Sequence, residues 1–231
     1  MTSYDAARLI DISAVRTAHT FSDLEEIVKI AKQYRFINVH SLPCWTATLR
    51  EMLAGEKDIF TGAPVGFPGG AHKTEIKVLE AEHLIKDGVQ EMDIVMNVGR
   101  FKNREYKYVI DEIKQILAIT PKEVRTKIII EINALTDAEI DKACEIIPDT
   151  GAEFIKTGTG WIPGPINIPI IKRIKDLTKG KIKVKASGGI RTREEFEELE
   201  QYGIERFGIN LKTALEIVSS YPQPGIEGRK P

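Results

Sequence analysis

Cysteine is scarce in this sequence, which has only Cys44 and Cys144 among its 231 residues. Two cysteines cannot build a disulfide framework, and neither shares a metal-ligand spacing with a histidine. Neither an H-E-x-x-H motif nor another paired spacing is formed by the four histidines, His19, His40, His72 and His83. We therefore expect no metal and no cofactor. For His40 two interpretations stay open: a residue that lines the pocket, or a packed neutral imidazole.

The sequence also lacks a long apolar run and an excess of charge of either sign. Its 33 lysines and arginines are interleaved with 34 aspartates and glutamates, for a formal net charge of -1. Without a basic stripe we expect no nucleic-acid partner, and without a run of about 18 apolar residues we expect no membrane span. The opening "MTSYDAARLIDIS" has none of the features of a secretory signal. We expect a cytoplasmic protein.

The sequence does contain an alternation of β-rich runs with amphipathic helical segments, repeated eight times. The predicted strands are "RLIDIS", "FINVHS", "IFTGAPVGF", "EMDIVMN", "RTKIIIEIN", "EFIKTGT", "KIKVKAS" and "ERFGINL". Three helices are predicted to begin with a capping box, in which a side chain accepts a free backbone N–H: Ser22 with Glu25, Thr136 with Glu139, and Thr192 with Glu195. Gly180 and Gly203 are expected to close helices.

Eight strand-helix units without a composition break predict one α/β domain, a TIM (β/α)8 barrel, over residues 1–220. A doubly wound open sheet is the alternative, but its usual G-x-G-x-x-G turn is missing from "DISAVRTAH". Residues 221–231 are rich in proline and glycine and are predicted to be a mobile tail. Within them "IEGR", at 226–229, matches a commonly engineered protease site and is left out of the fold.

Strand parity predicts which side chains face the barrel axis, because alternate residues point inward. Lys156 of strand six points inward, while its apolar neighbour Ile155 suits the helix layer. By the same rule Lys183 and Lys185 of strand seven line the interior, and Asp93 of strand four points inward too. Two lysines from neighbouring strands and a carboxylate are therefore expected to meet inside the barrel.

This set indicates Schiff-base chemistry. An ammonium beside a second one in a partly desolvated pocket has a lowered pKa, so one amine can be neutral and nucleophilic near neutral pH. Such an amine attacks carbonyl groups, and the carbinolamine, imine and enamine that follow need repeated proton transfers. Asp93 and the second lysine could supply them, which is the chemistry of a Schiff-base aldolase.

A structural role for the same residues stays open, because inward lysines and acids can form a satisfied layer of ion pairs that also perturbs pKa values. Lys183 is the strongest candidate for that role. Lys127 and Glu131, on one face of strand five, are also expected to fill the bore, although Glu131 lies near the catalytic end.

Four stretches, in order, are "VGFPGGAHKTEIKVLEA", "EMDIVMN", "FIKTGTG" and "VKASGGIRT". In order and spacing, over nearly the whole chain, they resemble the deoxyribose-phosphate aldolase family. The resemblance implies a class I aldolase, an aldehyde-lyase, that joins acetaldehyde to D-glyceraldehyde 3-phosphate and reverses that reaction on 2-deoxy-D-ribose 5-phosphate. It also implies a homodimer.

The resemblance assigns roles to four residues. Lys156 matches the family's Schiff-base lysine, and Lys185 matches the second lysine, which lowers the pKa of the first and helps to move protons. Asp93 matches the acid that is taken as the proton-relay partner. Asp11, in "LIDIS", corresponds to an aspartate that members carry near their start.

Phosphate binding is expected at the carboxyl-end loops, where glycine N–H groups and a helix N-terminus accept an anion. The residues predicted for substrate and phosphate are Gly160, Gly188, Gly189, Arg191, Gly208 and Asn210. The family's eighth strand usually carries two serines that contact phosphate, whereas this chain has Asn210 and Leu211 there. Arg191 and Lys212 are candidates to restore the phosphate site, and Trp161 is a further departure near it.

These departures keep two alternatives open. One is a Schiff-base aldolase of the same family with a different acceptor aldehyde, which can be an unphosphorylated one. Asn210 and Leu211, in place of the two serines, favour this alternative. The other is a catalytically silent barrel that binds a sugar phosphate, with its lysines merely paired.

Overall fold

In a computed structural model, which describes residues 1–223, eight parallel strands pair in sequence order and close into a barrel. The strands are β1 Ile10–Ala14, β2 Asn38–Ser41, β3 Phe60–Val65, β4 Glu91–Val95, β5 Arg125–Ile129, β6 Phe154–Lys156, β7 Lys183–Ser187 and β8 Arg206–Asn210. The ring closes where β8 pairs with β1, which sets Gly208 beside Asp11. The predicted TIM barrel is confirmed, while the domain bounds stay a prediction.

Helices connect the strands and form the outer layer. In the described residues they are α1 Ser3–Ala7, α2 Phe21–Tyr34, α3 Thr46–Met52, α4 Thr74–Lys86, α5 Val98–Lys102, α6 Tyr106–Ile119, α7 Asp137–Ile146, α8 Ile168–Thr178, α9 Arg193–Gln201 and α10 Leu211–Ser219. Short α1 precedes β1 and was not expected, because five residues are too few to show a helical period. None of the helices within residues 1–223 has both the length and the apolar character that crossing a membrane requires.

Two of the three predicted capping boxes are confirmed, those that open α7 at Thr136 and α9 at Thr192. The predicted box at Ser22 is wrong, because α2 begins earlier, with Thr20 and Asp23 as the reciprocal pair. Both candidate pairs have the same spacing, so the spacing alone could not choose between them. The extended backbone of Thr20, at φ -102° and ψ 176°, fixes the start of the helix.

The apolar core lies between the barrel and the helices, and strand parity builds it. Outward-facing strand residues that are fully or almost fully buried there include Ile12, Met92, Ile94, Ile128, Val184 and Ala186. Cys144 of α7 is buried in the same layer, as predicted, and burial raises the pKa of its thiol to about 12. The residues of opposite parity are left to face the bore.

The chain after α10 packs on the barrel as far as it is described. Tyr221 is buried, and its ring meets that of Phe196 edge to face, with centroids 6.5 Å apart. The backbone N–H of Ser3 donates to the carbonyl of Pro222 over 2.9 Å. The rest of the predicted mobile tail, including "IEGR", lies outside the described residues.

Candidate active site

One cavity at the carboxyl end of the barrel contains every residue that the sequence predicted for the site. Its volume is about 320 Å³, within the range of small-ligand pockets. Parallel barrel strands all end at the same face, so side chains distant in sequence converge there. The predicted residues that line it are Asp11, Asp93, Lys156, Gly160, Lys185, Gly188, Gly189, Arg191, Gly208 and Asn210.

Lys156 is the last residue of β6 and reaches into the base of this cavity. Its side chain is 10% exposed, and its Nζ donates to Asp93 Oδ2 over 2.7 Å. The next residue is still tied to the neighbouring strand β7: the Thr157 N–H donates to the Lys185 carbonyl over 3.1 Å, and the Thr157 hydroxyl donates to the Ser187 carbonyl over 2.8 Å. The amine is therefore held at the boundary between the packed bore and the open cavity.

Lys185 and Lys156 share one carboxylate oxygen. The two lysines are register partners on β6 and β7, and Lys185 Nζ also donates to Asp93 Oδ2, over 2.8 Å. On its other side the same Nζ lies 2.6 Å from Asp11 Oδ2. As predicted, two amines and one carboxylate come together inside the barrel. Asp11 provides a second carboxylate contact to Lys185.

A buried network of charges continues down the bore from this point. Lys127, predicted as a bore residue, lies 3.2 Å from Asp93 Oδ1 and 3.6 Å from Asp11 Oδ2. Sequence reasoning missed Arg206 and Glu91, which parity could have shown, since they lie two residues before Gly208 and Asp93. The Arg206 guanidinium donates to Asp11 Oδ1 over 2.6 Å.

Counted over its buried members within residues 1–223, the network has one more cation than it has carboxylates. Its buried carboxylates are Asp11, Glu91 and Asp93, and its buried cationic side chains are Lys127, Lys156, Lys185 and Arg206. An unbalanced charge is unfavourable in a space that water does not reach. Loss of one proton from a lysine balances the bore.

Lys156 is the lysine whose environment favours that loss. Its pKa is lowered to about 8, first because burial disfavours the ammonium form and further because of the charges of Lys185 and Lys127. Asp93 opposes the shift, since a carboxylate stabilises the ammonium. The expected influence of the second ammonium is present, but burial is the larger cause.

Asp93 is the anion on which the site depends. Burial alone would raise its pKa, but His40, Lys127, Lys156 and Lys185 together outweigh burial and hold the pKa of this carboxyl well below its usual range. Asp93 is therefore ionised at neutral pH.

Two bore predictions are corrected by the structure. Lys183 does not line the interior: it begins β7 at the amino end, and its side chain is 52% exposed and pairs with Glu153 over 2.8 Å. Parity gives the direction of a side chain but not its height in the barrel. Glu131 lies beyond the end of β5, where its carboxylate accepts the backbone N–H of Thr159 over 3.2 Å and so braces the loop after β6.

The mouth of the cavity is closed on one side by a reciprocal pair of hydrogen bonds between the loops after β1 and β6. Arg16 Nη2 donates to the Gly160 carbonyl over 3.0 Å, and Trp161 Nε1 donates to the Val15 carbonyl over 3.2 Å. We call this pair the loop clasp. Arg16 lines the cavity and was not predicted, because a loop has no period to reveal direction.

A second part of the cavity wall, which reaches the clasp where Gly188 approaches Gly160, combines backbone groups with cationic side chains. Gly188 and Gly189 have φ values of 93° and 96°, which L-residues rarely adopt. Asn210 caps α10, because its Oδ1 accepts the Thr213 N–H over 3.1 Å. Arg191 and Lys212 line the same wall. The Asn210 oxygen is thus engaged, and the free N–H groups at the start of α10 remain for an anion.

His40 of β2 also lines the cavity, which decides the question that the sequence left open. Its ring is buried, and its Nε2 lies 3.1 Å from Asp93 Oδ1.

Curated proteins similar to this chain share one name. The chain is 42% identical to the deoxyribose-phosphate aldolase of Sinorhizobium medicae over 215 residues, which are 93% of this chain and 86% of that protein. It is 37% identical to the deoxyribose-phosphate aldolase of Klebsiella pneumoniae over 225 residues, 96% of this chain and 90% of that one. No protein-family model matches the chain.

Solved structures agree in fold. An aldolase named QR15 is 35% identical and superposes with a TM-score of 0.87 over 94% of this chain and 95% of its own. The deoxyribose phosphate aldolase of Aeropyrum pernix, whose structure is described as a unique tetramer, is 24% identical with a TM-score of 0.84. The superposition covers 95% of this chain and 92% of the Aeropyrum chain.

Proposed function

Because this chain belongs to the deoxyribose-phosphate aldolase family, we propose that it is a class I aldolase that reversibly cleaves 2-deoxy-D-ribose 5-phosphate into acetaldehyde and D-glyceraldehyde 3-phosphate. One observation carries the proposal: a buried amine with a pKa of about 8 lies at the base of the cavity. About a tenth of such an amine is neutral at pH 7. That fraction is enough to start the reaction.

In the cleavage direction the neutral Lys156 amine attacks C1 of the open-chain sugar phosphate. A C–N bond forms, and water leaves to give a protonated imine. The C2–C3 bond then breaks as the C3 hydroxyl loses its proton, which releases glyceraldehyde 3-phosphate and moves the electron pair into an enamine. Protonation of the enamine at C2 and addition of water release acetaldehyde and restore the amine.

The two neighbours of Lys156 have different tasks: one stabilises charge and the other transfers protons. Asp93 stays ionised, so its main contribution is to stabilise the positive charge of the protonated imine. Lys185, held between Asp93 and Asp11, can donate a proton toward the reacting atoms and take one back. This division supports Lys185 as the proton carrier and Asp93 as its electrostatic partner.

A phosphorylated acceptor fits the cavity better than an unphosphorylated one. Three cationic side chains, Arg16, Arg191 and Lys212, line it together with the glycine backbone at 188–189. The carboxylates that line it, Asp11 and Asp93, are engaged by cations of the bore. Cationic groups and free N–H groups are what a phosphate requires, and they compensate for the two serines that this chain lacks.

Borohydride trapping tests the imine chemistry. Acetaldehyde is added, the imine is reduced, and the modified lysine is located by peptide mass mapping. We expect a modification of 28 Da, roughly that of one ethyl group, on Lys156 and none on the exposed Lys183, which serves as an internal control. A Lys156→Met variant should remain unmodified. Absence of an adduct on Lys156 would leave the silent barrel as the better description.

A comparison of two sugars tests the acceptor. Turnover of 2-deoxyribose 5-phosphate should exceed that of unphosphorylated 2-deoxyribose by a factor of about 100 in kcat/KM, the scale of two charge-assisted hydrogen bonds. Equal turnover of the two sugars would exclude the phosphate assignment and support the aldolase with an unphosphorylated acceptor.

A homodimer in solution is part of the proposal. It is supported by the exposed side chains of Ile76 and Leu79, which lie one turn apart on α4 and form an apolar strip that a second copy could cover. Sedimentation of the wild type against an Ile76→Lys variant tests this. A monomer for both proteins would contradict it.

A cytoplasmic location is also proposed. Phosphate esters are charged and do not cross membranes unaided, so an enzyme that consumes one is expected where that ester is made. Cell fractionation with an antibody against the chain measures it.

A further inference from the structure

His40 is a buried titratable residue that the proposed reaction does not use. It lies on β2, is 4% exposed, and lines the cavity beside the reacting groups. Its Nε2 approaches Asp93 Oδ1 to 3.1 Å, while Lys156 and Lys185 engage the other oxygen of the same carboxylate. Asp93 is thus contacted on both oxygens, from different sides of the barrel.

The proton on the imidazole can be assigned from its surroundings. Burial lowers the pKa of His40, and the charges of Lys185 and Lys127 act in the same direction although Asp93 opposes them. A neutral ring has one N–H, and a bare lone pair facing an ionised carboxylate at 3.1 Å would be repelled. The proton therefore lies on Nε2, toward Asp93.

The other face of the ring is fixed by shape. Both ring nitrogens are buried, and in the described part of the chain neither has a partner in hydrogen-bond geometry: Nε2 lies 3.1 Å from Asp93 Oδ1 but out of line with it. The nitrogen that faces away from Asp93 is Nδ1. It lies against Gly62 of β3, where a Cβ would come within 2.4 Å of Nδ1 and 2.3 Å of Cε1. A residue larger than glycine at 62 would displace the ring, so β3 leaves a slot that keeps Nε2 beside Asp93 Oδ1.

We propose that His40 is a positioning residue: its Nε2–H, 3.1 Å from Asp93 Oδ1, restrains that oxygen through a close polar contact and so keeps Oδ2 directed at Lys156 and Lys185. This rests on the proposed aldolase function and adds a residue to it. Without the imidazole, Oδ1 keeps Lys127 as its neighbour at 3.2 Å, and the carboxylate is free to turn toward that ammonium. The protonated imine would then lose its counter-charge, while the phosphate-binding wall would stay intact.

Two substitutions separate positioning from packing. His40→Leu removes the N–H and keeps a similar volume, and we expect kcat to fall about tenfold with KM changed by less than about threefold, the effect of losing a close polar contact with a charged group. His40→Gln keeps an N–H donor and should recover most of that loss. His83→Leu, an exposed histidine on α4, is the matched control and should leave kcat unchanged.

Nitrogen NMR of the wild-type imidazole tests the geometry without activity. We expect the neutral ring with Nε2 protonated and Nδ1 bare at pH 7, and the opposite tautomer or a doubly protonated ring would overturn the proposal. Equal kcat losses in the Leu and Gln variants would also overturn it, since packing alone would explain them. Failure of wild-type borohydride trapping would instead contradict the aldolase function. The two failures are therefore distinguishable, and the NMR test remains even if His40→Leu does not fold.

Discussion

Lys156 ends β6, and this position decides its charge. A lysine deeper in the bore, such as Lys127, is surrounded by carboxylates that raise its pKa above the usual value. Lys156 has Asp93 as its one carboxylate contact in the described chain, and burial lowers its pKa to about 8. The same type of side chain therefore has a raised pKa at one height of the barrel and a lowered pKa at another.

The pH dependence of kcat/KM follows from this value. The nucleophile is the neutral amine, so the rate should rise about tenfold per pH unit below the pKa of Lys156 and level off above about 8. A pH profile of cleavage between pH 6 and 9.5 measures it. Asp93→Asn removes the charge that stabilises the ammonium, so the midpoint of its residual activity should move to lower pH. A midpoint near 10.5, the ordinary lysine value, would contradict the assignment.

Arg16 is expected to act on substrate binding alone. Arg16→Gln should raise KM for 2-deoxyribose 5-phosphate about tenfold, because a cationic donor to the phosphate is lost, and leave unphosphorylated 2-deoxyribose unaffected. Lys114→Gln, a neutralised exposed lysine on α6, controls for the change in net charge. Steady-state kinetics on both sugars measures these KM values. An equal rise in KM for both sugars would show that Arg16 serves only the loop clasp.

Parity alone was enough to place Lys156, Lys185 and Asp93, since strands have a strict period of two. It could not place Arg16, which lies in a loop. It also placed Lys183 correctly in direction and wrongly in environment, because the amino end of the barrel is open to water. Residue roles that depend on height or on loop conformation needed the structure.

Among the elements, the helix layer contains a second buried ion pair, outside the bore. Lys77 of α4 donates from Nζ to Glu112 of α6 over 2.6 Å and to the Val95 carbonyl over 2.9 Å. Val95 ends β4, two residues beyond Asp93. This pair connects two helices to the strand that carries Asp93.

Breaking this pair should cost stability more than chemistry. Lys77→Met leaves Glu112 buried without its ammonium partner, and we expect unfolding to become easier by about 3 to 5 kcal/mol. The double variant Lys77→Met with Glu112→Leu should recover most of that loss, because no uncompensated charge remains. Urea denaturation measures both. A double variant as unstable as the single one would show that the Val95 contact, rather than the unpaired charge, dominates.

Element order could be predicted because eight repeats of strand and helix leave few other folds, but element ends were less predictable. The segment predicted as strand six ran from 153 to 159, whereas β6 ends at Lys156. The residues after it keep strand-like composition, yet Thr157 is drawn to the Ser187 carbonyl and Thr159 to Glu131. These tertiary hydrogen bonds fix the residues that follow the strand, and the sequence has no local signal for them.

At the scale of the whole molecule, the extra cation in the bore lowers the stability of the folded state, and the proposed activity requires it. The lowered pKa of Lys156 means that its protonated form is disfavoured in the folded state, by about 3 kcal/mol if its unfolded value is 10.5. This loss is present at pH 7 and disappears as pH rises above the unfolded pKa.

Removing that amine should therefore stabilise the fold and abolish activity. We expect Lys156→Met to raise Tm by about 6 to 12 °C at pH 7, because relief of about 3 kcal/mol shifts Tm by about 2 to 4 °C per kcal/mol in a chain of this size. Lys185→Met, which deprives two carboxylates of a partner, should lower it. Calorimetry of the three proteins at pH 7 and pH 9.5 measures this, and the gain for Lys156→Met should shrink at the higher pH. A decrease in Tm for Lys156→Met would show that its contact with Asp93 outweighs its burial.

The bore network also divides by chain half. Its carboxylates all come from β1 and β4, and its cationic side chains all come from β5 to β8. Either half folded with a copy of itself would bury like charges against each other, whereas the two different halves neutralise one another. Two fragments cut between β4 and β5 should therefore associate with each other and not with copies of themselves. The charge pattern that lowers the pKa of one amine thus also determines which half-barrels can pair.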